Sequence, residues 1–362
     1  MKVCHITTVH NANDVRIFHK QCCSLQNQGF SVNLIAPNIK KQEIKGVKMI
    51  GLNPIKQNRF YRIFKLSKTA YNLAMETDAD IYHFHDPELL RIGLKLRKKG
   101  KKVIYDAHED LPRQILTKHW INPILRKITA FLIEKYENFA ASKMSAVVGA
   151  TAHISNRFSN VNSLSININN YPIISEFENS LTYNQSNDIV YSGGISKERG
   201  IVEIINAISG TEIQLLLAGK FLDPKLEEEL KKLKGWENVK YLGFLNRSEI
   251  ANVYQKASIG MVTLHPTLNY KDSLPVKMFE YMAAGLPIIA SNFTKWKQII
   301  EEYKCGITVN PNESNDIKQS IEYLINNPKE AKEMGENGKK AIANVFNWEI
   351  EEQKLIALYT NL

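Results

Sequence analysis

Short runs of β-branched and aromatic residues alternate with helical patterns along nearly the whole of this 362-residue chain. That alternation restricts the fold more than any other feature, because parallel strands joined by helices need a sheet covered on both faces. Strand candidates in the first half are 2–7, 31–36, 80–84, 102–106 and 145–149. Helical periodicity falls between them, at 15–28, 58–76, 87–98 and 120–142. Residues 159–187, rich in Asn and Ser and holding Pro172, break the rhythm and read as a linker. A second series starts at Ile189, with strands at 189–192, 213–218, 239–243, 259–264, 287–290 and 306–309. The reading is an α/β chain of two doubly wound domains, 1–172 and 173–346, followed by a helical segment 347–362. Such a layout puts ligands outside the carboxyl ends of the strands, in a cleft between the domains.

Charge divides the same way. Residues 1–180 hold 26 Lys and Arg against 14 Asp and Glu, a balance of +12. The remainder holds 21 against 23, a balance of −2. A basic half asks for an anionic partner: nucleic acid, an acidic lipid surface or a phosphorylated acceptor. The cations cluster at Arg62, Lys65 and Lys68, at Arg97–Lys102, and at Lys118, Arg126 and Lys127. In 58–76, Phe60, Ile63, Phe64, Ala70 and Tyr71 share one helical face opposite the cations. That pattern suits a core-packed helix with a solvated basic face, or a helix lying on an anionic membrane. No run approaches the ~18 apolar residues of a membrane span, and the first apolar run is too short for a signal core. Cys4, Cys22, Cys23 and Cys305 lack metal-ligand spacing, which fits buried thiols in a reducing, cytoplasmic setting.

Residues 265–291 carry the most chemistry. A polar loop leads to a helix starting near Pro275, Gly285 closes it, and Pro287 opens the next strand. Lys277 and Glu280 share one face. A helix N-terminus and a lysine in its first turn suit a diphosphate, and a carboxylate one turn on suits ribose hydroxyls. Spacing alone reads first as an ordinary surface Lys–Glu pair. A second element, Tyr191-Ser-Gly193-Gly194-Ile-Ser-Lys197-Glu-Arg199-Gly200, joins a strand to a helix at Ile201. Its glycines permit close backbone approach and its cations suit phosphates, although a plain tight turn fits equally. It is neither a dinucleotide fingerprint nor a P-loop.

With these residues in view, the chain resembles a retaining glycosyltransferase of family 4, the group 1 glycosyltransferases, with the GT-B fold. Asp272 and Glu280 match that family's acid-x7-Glu motif, and the following Tyr-Met-Ala-Ala-Gly-Leu-Pro-Ile-Ile-Ala-Ser matches its helix and strand. The resemblance implies that Glu280 binds the donor ribose, that Asp272 contacts the donor sugar, and that Ser273 and Leu274 complete the loop. Many members carry Gly-Arg followed by a Lys in the glycine loop. Here Gly193-Gly194 lacks the first cation and Arg199 takes the second position, leaving Arg199 and Lys277 to grip the diphosphate. Gly243 and Phe244 fall in the segment that reads the base. In the first half the resemblance makes Asp14 and Arg16, in the first strand–helix loop, and His85, His108 and Glu109, after later strands, the acceptor-binding candidates. As lone features these histidines read as satisfied buried imidazoles.

What the resemblance implies is transfer of a hexosyl or N-acetylhexosaminyl group from a nucleotide-diphosphate sugar to a glycan or lipid-linked acceptor. UDP-sugar is favoured over GDP-sugar. The first domain would hold the acceptor, the second the donor, and 347–362 would cross back to the first. The chemistry implied needs no cofactor and no metal. His108, Asp272, Arg199 and Lys277 are the residues closest to it. His83, His85 and His108 lack a Cys or close His pair to complete a metal site, and Asp78-Ala-Asp80 lies at the wrong end of its strand. A GT-B epimerase, a silent sugar-nucleotide sensor and a nucleic-acid binder remain open. No nucleic-acid motif supports the last.

Overall fold

Apolar runs too short for helices become parallel strands buried on both faces, and the computed structural model shows two such sheets. It describes residues 1–53, 58–118, 120–177 and 185–362; part of the linker candidate, 178–184, lies outside them.

Unit 1 comprises Met1–Asn170 and Glu349–Leu362. Its strands are β1 (Lys2–Ile6), β2 (Ser31–Pro37), β3 (Gln42–Ile44), β4 (Val47–Leu52), β5 (Ile81–Phe84), β6 (Lys102–Ala107), β7 (Ala146–Gly149) and β8 (Ser165–Asn167). They order as β3-β4-β2-β1-β5-β6-β7-β8, all parallel except the edge hairpin β3–β4. Sequence periodicity missed β3, β4 and β8. β3 and β8 are short edge strands and β4, next to the edge, is half exposed, so their apolar signal is weak. The helix Trp348–Asn361 contributes its later turns to unit 1. Tyr359 is fully buried there, its hydroxyl 2.6 Å from His83 Nδ1, and Glu351 accepts from the Asn169 backbone N–H at 2.9 Å.

Unit 2, Tyr171–Trp348, carries β9 (Asp188–Ser192), β10 (Gln214–Ala218), β11 (Val239–Gly243), β12 (Ile259–Val262), β13 (Ile288–Ser291) and β14 (Gly306–Val309). The order β11-β10-β9-β12-β13-β14, parallel throughout, is that of a doubly wound nucleotide-binding sheet. Two doubly wound units with the last helix returning to the first is the GT-B arrangement read from the sequence.

The helix 58–76 differs from expectation. Phe60 and Phe64 are exposed, while Leu66, Ala70 and Ala74 are buried. Wider winding through Arg62–Leu66 rotates the packed face away from the two phenylalanines. All four cysteines are buried free thiols. Among the described residues, no helix is long and apolar enough to cross a membrane.

Candidate functional site

In unit 2, β9 and β12 are neighbours whose connections run to opposite sides of the sheet. Their carboxyl ends form the switch point where such sheets bind ligands. β9 runs into Gly193, whose φ of +117° favours glycine. A Cβ built on Gly193 would lie 3.6 Å from both Arg199 Nη1 and Lys277 Nζ. The two cations come from the turn Lys197–Arg199 and from the second residue of the helix Val276–Ala283.

Neither cation has a carboxylate partner among the described residues. Lys277 is only 8% exposed; its Nζ sits 3.5 Å from the Tyr191 ring centroid without a hydrogen-bond partner. Burial first, then the Arg199 charge, hold its pKa well below the ordinary lysine range, with Glu280 opposing. Arg199 reaches the Tyr191 and Tyr270 side chains but leaves Nε buried and unpaired. An anion would supply the counter-charge that half-buried Arg199 and buried Lys277 lack. Pro275 is the extended N-cap residue rather than part of the first turn, and no side chain caps this helix. Its first N–H groups therefore add to the anion's surroundings.

The surface-pair reading of Lys277 and Glu280 is overturned by their burial. Glu280 is 7% exposed and is engaged by Arg247 Nη1 at 2.5 Å and by the Tyr254 hydroxyl at 3.2 Å. Arg247 also pairs with Glu176. Sequence reasoning missed Arg247, which lies 33 positions before Glu280 on another helix. Asp272 is half exposed and pairs with Lys295 at 3.4 Å. The Ser273 hydroxyl donates to the Tyr270 carbonyl at 2.9 Å, and the Ser273 carbonyl accepts the Trp296 indole N–H at 2.7 Å. Leu274 packs on the core, so both residues fix the loop ahead of the helix. The loop after β10 closes on the same place. A Cβ on Gly219 would fall 1.7 Å from the Gly193 carbonyl oxygen, and the Gly219 N–H donates to the Gly243 carbonyl at 2.7 Å. Beside Gly243, Phe244 is exposed, with Lys220 Nζ 4.7 Å over its ring. Gly194 follows Gly193, and its carbonyl accepts the Tyr191 hydroxyl at 2.7 Å.

In unit 1 the carboxyl ends of β1, β5 and β6 gather a second cluster around Asp106, which is fully buried. Arg16 grips it through Nε (3.1 Å) and Nη2 (2.8 Å), and Gln21 donates at 2.7 Å. Burial opposes ionisation of Asp106, but the Arg16 and His108 charges hold its carboxyl well below the usual range. Arg16 is therefore the internal counter-ion of Asp106. Asp14 caps the helix Val15–Cys22 by accepting from the Arg16 and Ile17 N–H groups, both at 2.9 Å, so it is committed to structure. His85, 1% exposed, is enclosed between His5, His108 and Asp106. Burial drives it down to about 3. Glu109 is exposed and accepts from Gln114.

His108 remains partly open, its Nε2 3.3 Å from Asp106. Beside it stands His10, a residue the sequence reading passed over. The two rings lie 4.8 Å apart, and His10 reaches Asp14 at 3.4 Å and Asp86 at 3.6 Å. Burial opposes its protonation, but Asp14, Asp86 and Asp106 outweigh it and raise its pKa. The absence of a close histidine pair also needs correction. The His83 and His85 rings stack 4.7 Å apart, and ligand atoms of His83, His85 and Asp106 lie within 4.8 Å of one another. Both carboxylate oxygens of Asp106 are already taken by Arg16 and Gln21. Asp78 pairs with Lys101 at 2.9 Å and Asp80 accepts from the Lys2 N–H, at the opposite end of the sheet.

Two family models match the chain: "Glycosyltransferase Family 4" over residues 15–162 and "Glycosyl transferases group 1" over 173–341. An uncharacterised glycosyltransferase of Methanocaldococcus jannaschii is 24% identical over 242 residues, 65% of this chain and 64% of its own length. CapM of Staphylococcus aureus, a capsular polysaccharide biosynthesis glycosyltransferase, is 24% identical over 47% of this chain and 45% of its own length. The chain thus spans less than two thirds of these relatives. Anabaena HepE, solved with UDP-glucose, superposes with a TM-score of 0.74 at 15% identity over 100% of both chains, which is a likeness of fold.

Proposed function

Because the chain is a member of the family 4 (group 1) glycosyltransferases, we propose that it moves a sugar from a nucleotide-diphosphate donor to a glycan or lipid-linked acceptor. UDP is the favoured nucleotide, supported by the UDP-glucose complex of HepE, with GDP second. Surface polysaccharide or glycolipid synthesis at the inner face of the cell membrane is the setting, supported by CapM and by the basic first half.

The observation that carries this reading is the convergence at Gly193 of Arg199 and Lys277, neither with a carboxylate partner among the described residues. Breaking the bond at the anomeric carbon leaves a nucleoside diphosphate gathering negative charge. Preorganised cations and helix N–H groups aimed at that charge lower the barrier most. Arg199, Lys277 and the N-terminus of Val276–Ala283 supply them, and no step in this account requires a metal. Glu280, oriented by Arg247, takes the ribose hydroxyls. Asp272 holds hydroxyls of the sugar. The leaving phosphate takes up the acceptor proton on the face it departs from, which retains the anomeric configuration. In unit 1, His108 and His10 are the open polar side chains for the transferred sugar or the acceptor.

Thermal stabilisation by UDP and GDP, each with and without EDTA, tests the donor half. A ligand at 100 times its dissociation constant adds ~2.7 kcal/mol, a shift of several degrees. An EDTA-insensitive shift is expected, followed by release of free nucleotide from the sugar donor only when acceptor is present. No shift with either nucleotide would remove the reading. A shift without acceptor-dependent release would leave a sugar-nucleotide-binding protein.

A further inference from the structure

The helix Pro123–Ala141 is amphipathic with its faces reversed. Ala130, Glu137, Ala140 and Ala141 point inward. Glu137 is fully buried, accepting the Tyr105 hydroxyl and an Arg157 N–H, both at 2.7 Å. Ile124, Leu125, Ile128, Phe131, Leu132 and Phe139 point outward, each at least half exposed. At 3.6 residues per turn they occupy an arc of about 120°. Trp120, 80% exposed, extends the stripe beyond the helix start. A contiguous apolar face of this kind marks an interaction surface.

Charge selects what covers it. Among the described residues, the charged side chains exposed over 120–143 are Lys127, Lys135 and Lys143. The ammonium groups of Lys118, Lys135 and Lys143 sit over the rings of Trp120, Phe131 and Phe139 at 5.8, 5.5 and 6.0 Å. The helix Leu90–Lys98, packed alongside, exposes Arg91 and Lys95. The acidic residues of Pro123–Ala141 are turned away: Glu134 pairs with Arg113 at 2.6 Å and Glu137 is buried. A second copy docked here would set lysines against lysines. An anionic lipid surface meets both demands, taking the rings and aliphatic chains into its acyl boundary while the lysines reach the headgroups.

We propose that Trp120 and the helix Pro123–Ala141 lie in the headgroup layer of an anionic membrane. This deepens the lipid-linked branch of the proposed function, but the surface stands on its own geometry. Each lysine near an anionic surface strengthens binding by about fivefold. The test is sedimentation of the full chain with vesicles of phosphatidylglycerol and phosphatidylcholine against phosphatidylcholine alone. Wild type and F131E/L132E are compared, with thermal stabilisation by UDP and GDP and light scattering as parallel readouts. Wild type should prefer the anionic vesicles by at least ~10-fold, and the double substitution should lose that preference. Both substituted positions face outward, so melting temperature and the UDP response should persist. Vesicle binding without a response to either UDP or GDP supports this surface while removing the transferase reading. Equal partitioning of wild type and variant would overturn it. So would a wild-type dimer that the variant converts to a monomer, with no vesicle binding by either.

Discussion

Arg199 Nη1 and Lys277 Nζ lie at the same distance, 3.6 Å, from the point where a side chain on Gly193 would begin. Glycine there does two things at once: it permits the positive φ, and it leaves open the spot on which both cations converge. The nearby carboxylates are held elsewhere, Glu280 by Arg247 and Asp272 by Lys295.

Gly193→Ala should weaken UDP binding by at least ~10-fold, because a methyl group fills the anion's place and the backbone strain costs ~1–3 kcal/mol. Titration calorimetry together with a melting curve separates lost binding from lost folding.

Arg247→Met leaves Glu280 buried without its strongest hydrogen-bond partner. Losing a hydrogen bond to a charged group costs about 1.5–3 kcal/mol, so unit 2 should unfold at lower urea. Nucleotide affinity should fall as well, since Glu280 then lacks the contact that orients it. Retained affinity for UDP with lowered stability would restrict Arg247 to a structural role.

Acid should destabilise unit 1 well above the carboxylate range. Burial, the leading cause, holds His5 and His83 well below 6.5 and His85 at about 3. Unfolded histidines take up protons below ~6.5 that these folded ones refuse. The stability they contribute is present above that pH and is lost as pH falls toward 3, at about 1.4 kcal/mol per unit for each histidine. His10, raised in the fold, contributes in the opposite direction and offsets part of this. Urea unfolding at pH 7.5 and 5.5 should show the loss, and His83→Gln should reduce it.

Most strands were legible because a parallel strand buried on both faces is a short, unbroken apolar run, as at Ile189–Ser192 and Leu215–Ala218. Edge strands such as Ser165–Asn167 mix Asn and Ser with isoleucine and carry no such run. The Lys277–Glu280 spacing was visible, but burial was not, since a solvated pair and an anion site share the same i,i+3 pattern. Arg16 and His85 are engaged by Asp106, distant in sequence, and Asp14 by the backbone that follows it, neither of which the spacing of these residues shows. Periodicity also finds the apolar stripe of a helix without saying which way it faces. The stripe of Pro123–Ala141 faces outward because Glu137 is held inside by Tyr105 and Arg157.

The central claim is that half-buried Arg199 and buried Lys277 await a diphosphate, and calorimetric titration of UDP in buffers of different ionisation enthalpy tests it most directly. Burial and the Arg199 charge lower the Lys277 pKa and a bound anion raises it again, so in alkaline buffers, where the free amine is partly deprotonated, binding draws a proton onto it. Wild type should therefore bind UDP with net proton uptake. Lys277→Met should lose both the uptake and at least ~10-fold in affinity, consistent with a charge-assisted contact. Equal affinity in wild type and Lys277→Met, with heats independent of buffer, would contradict the account.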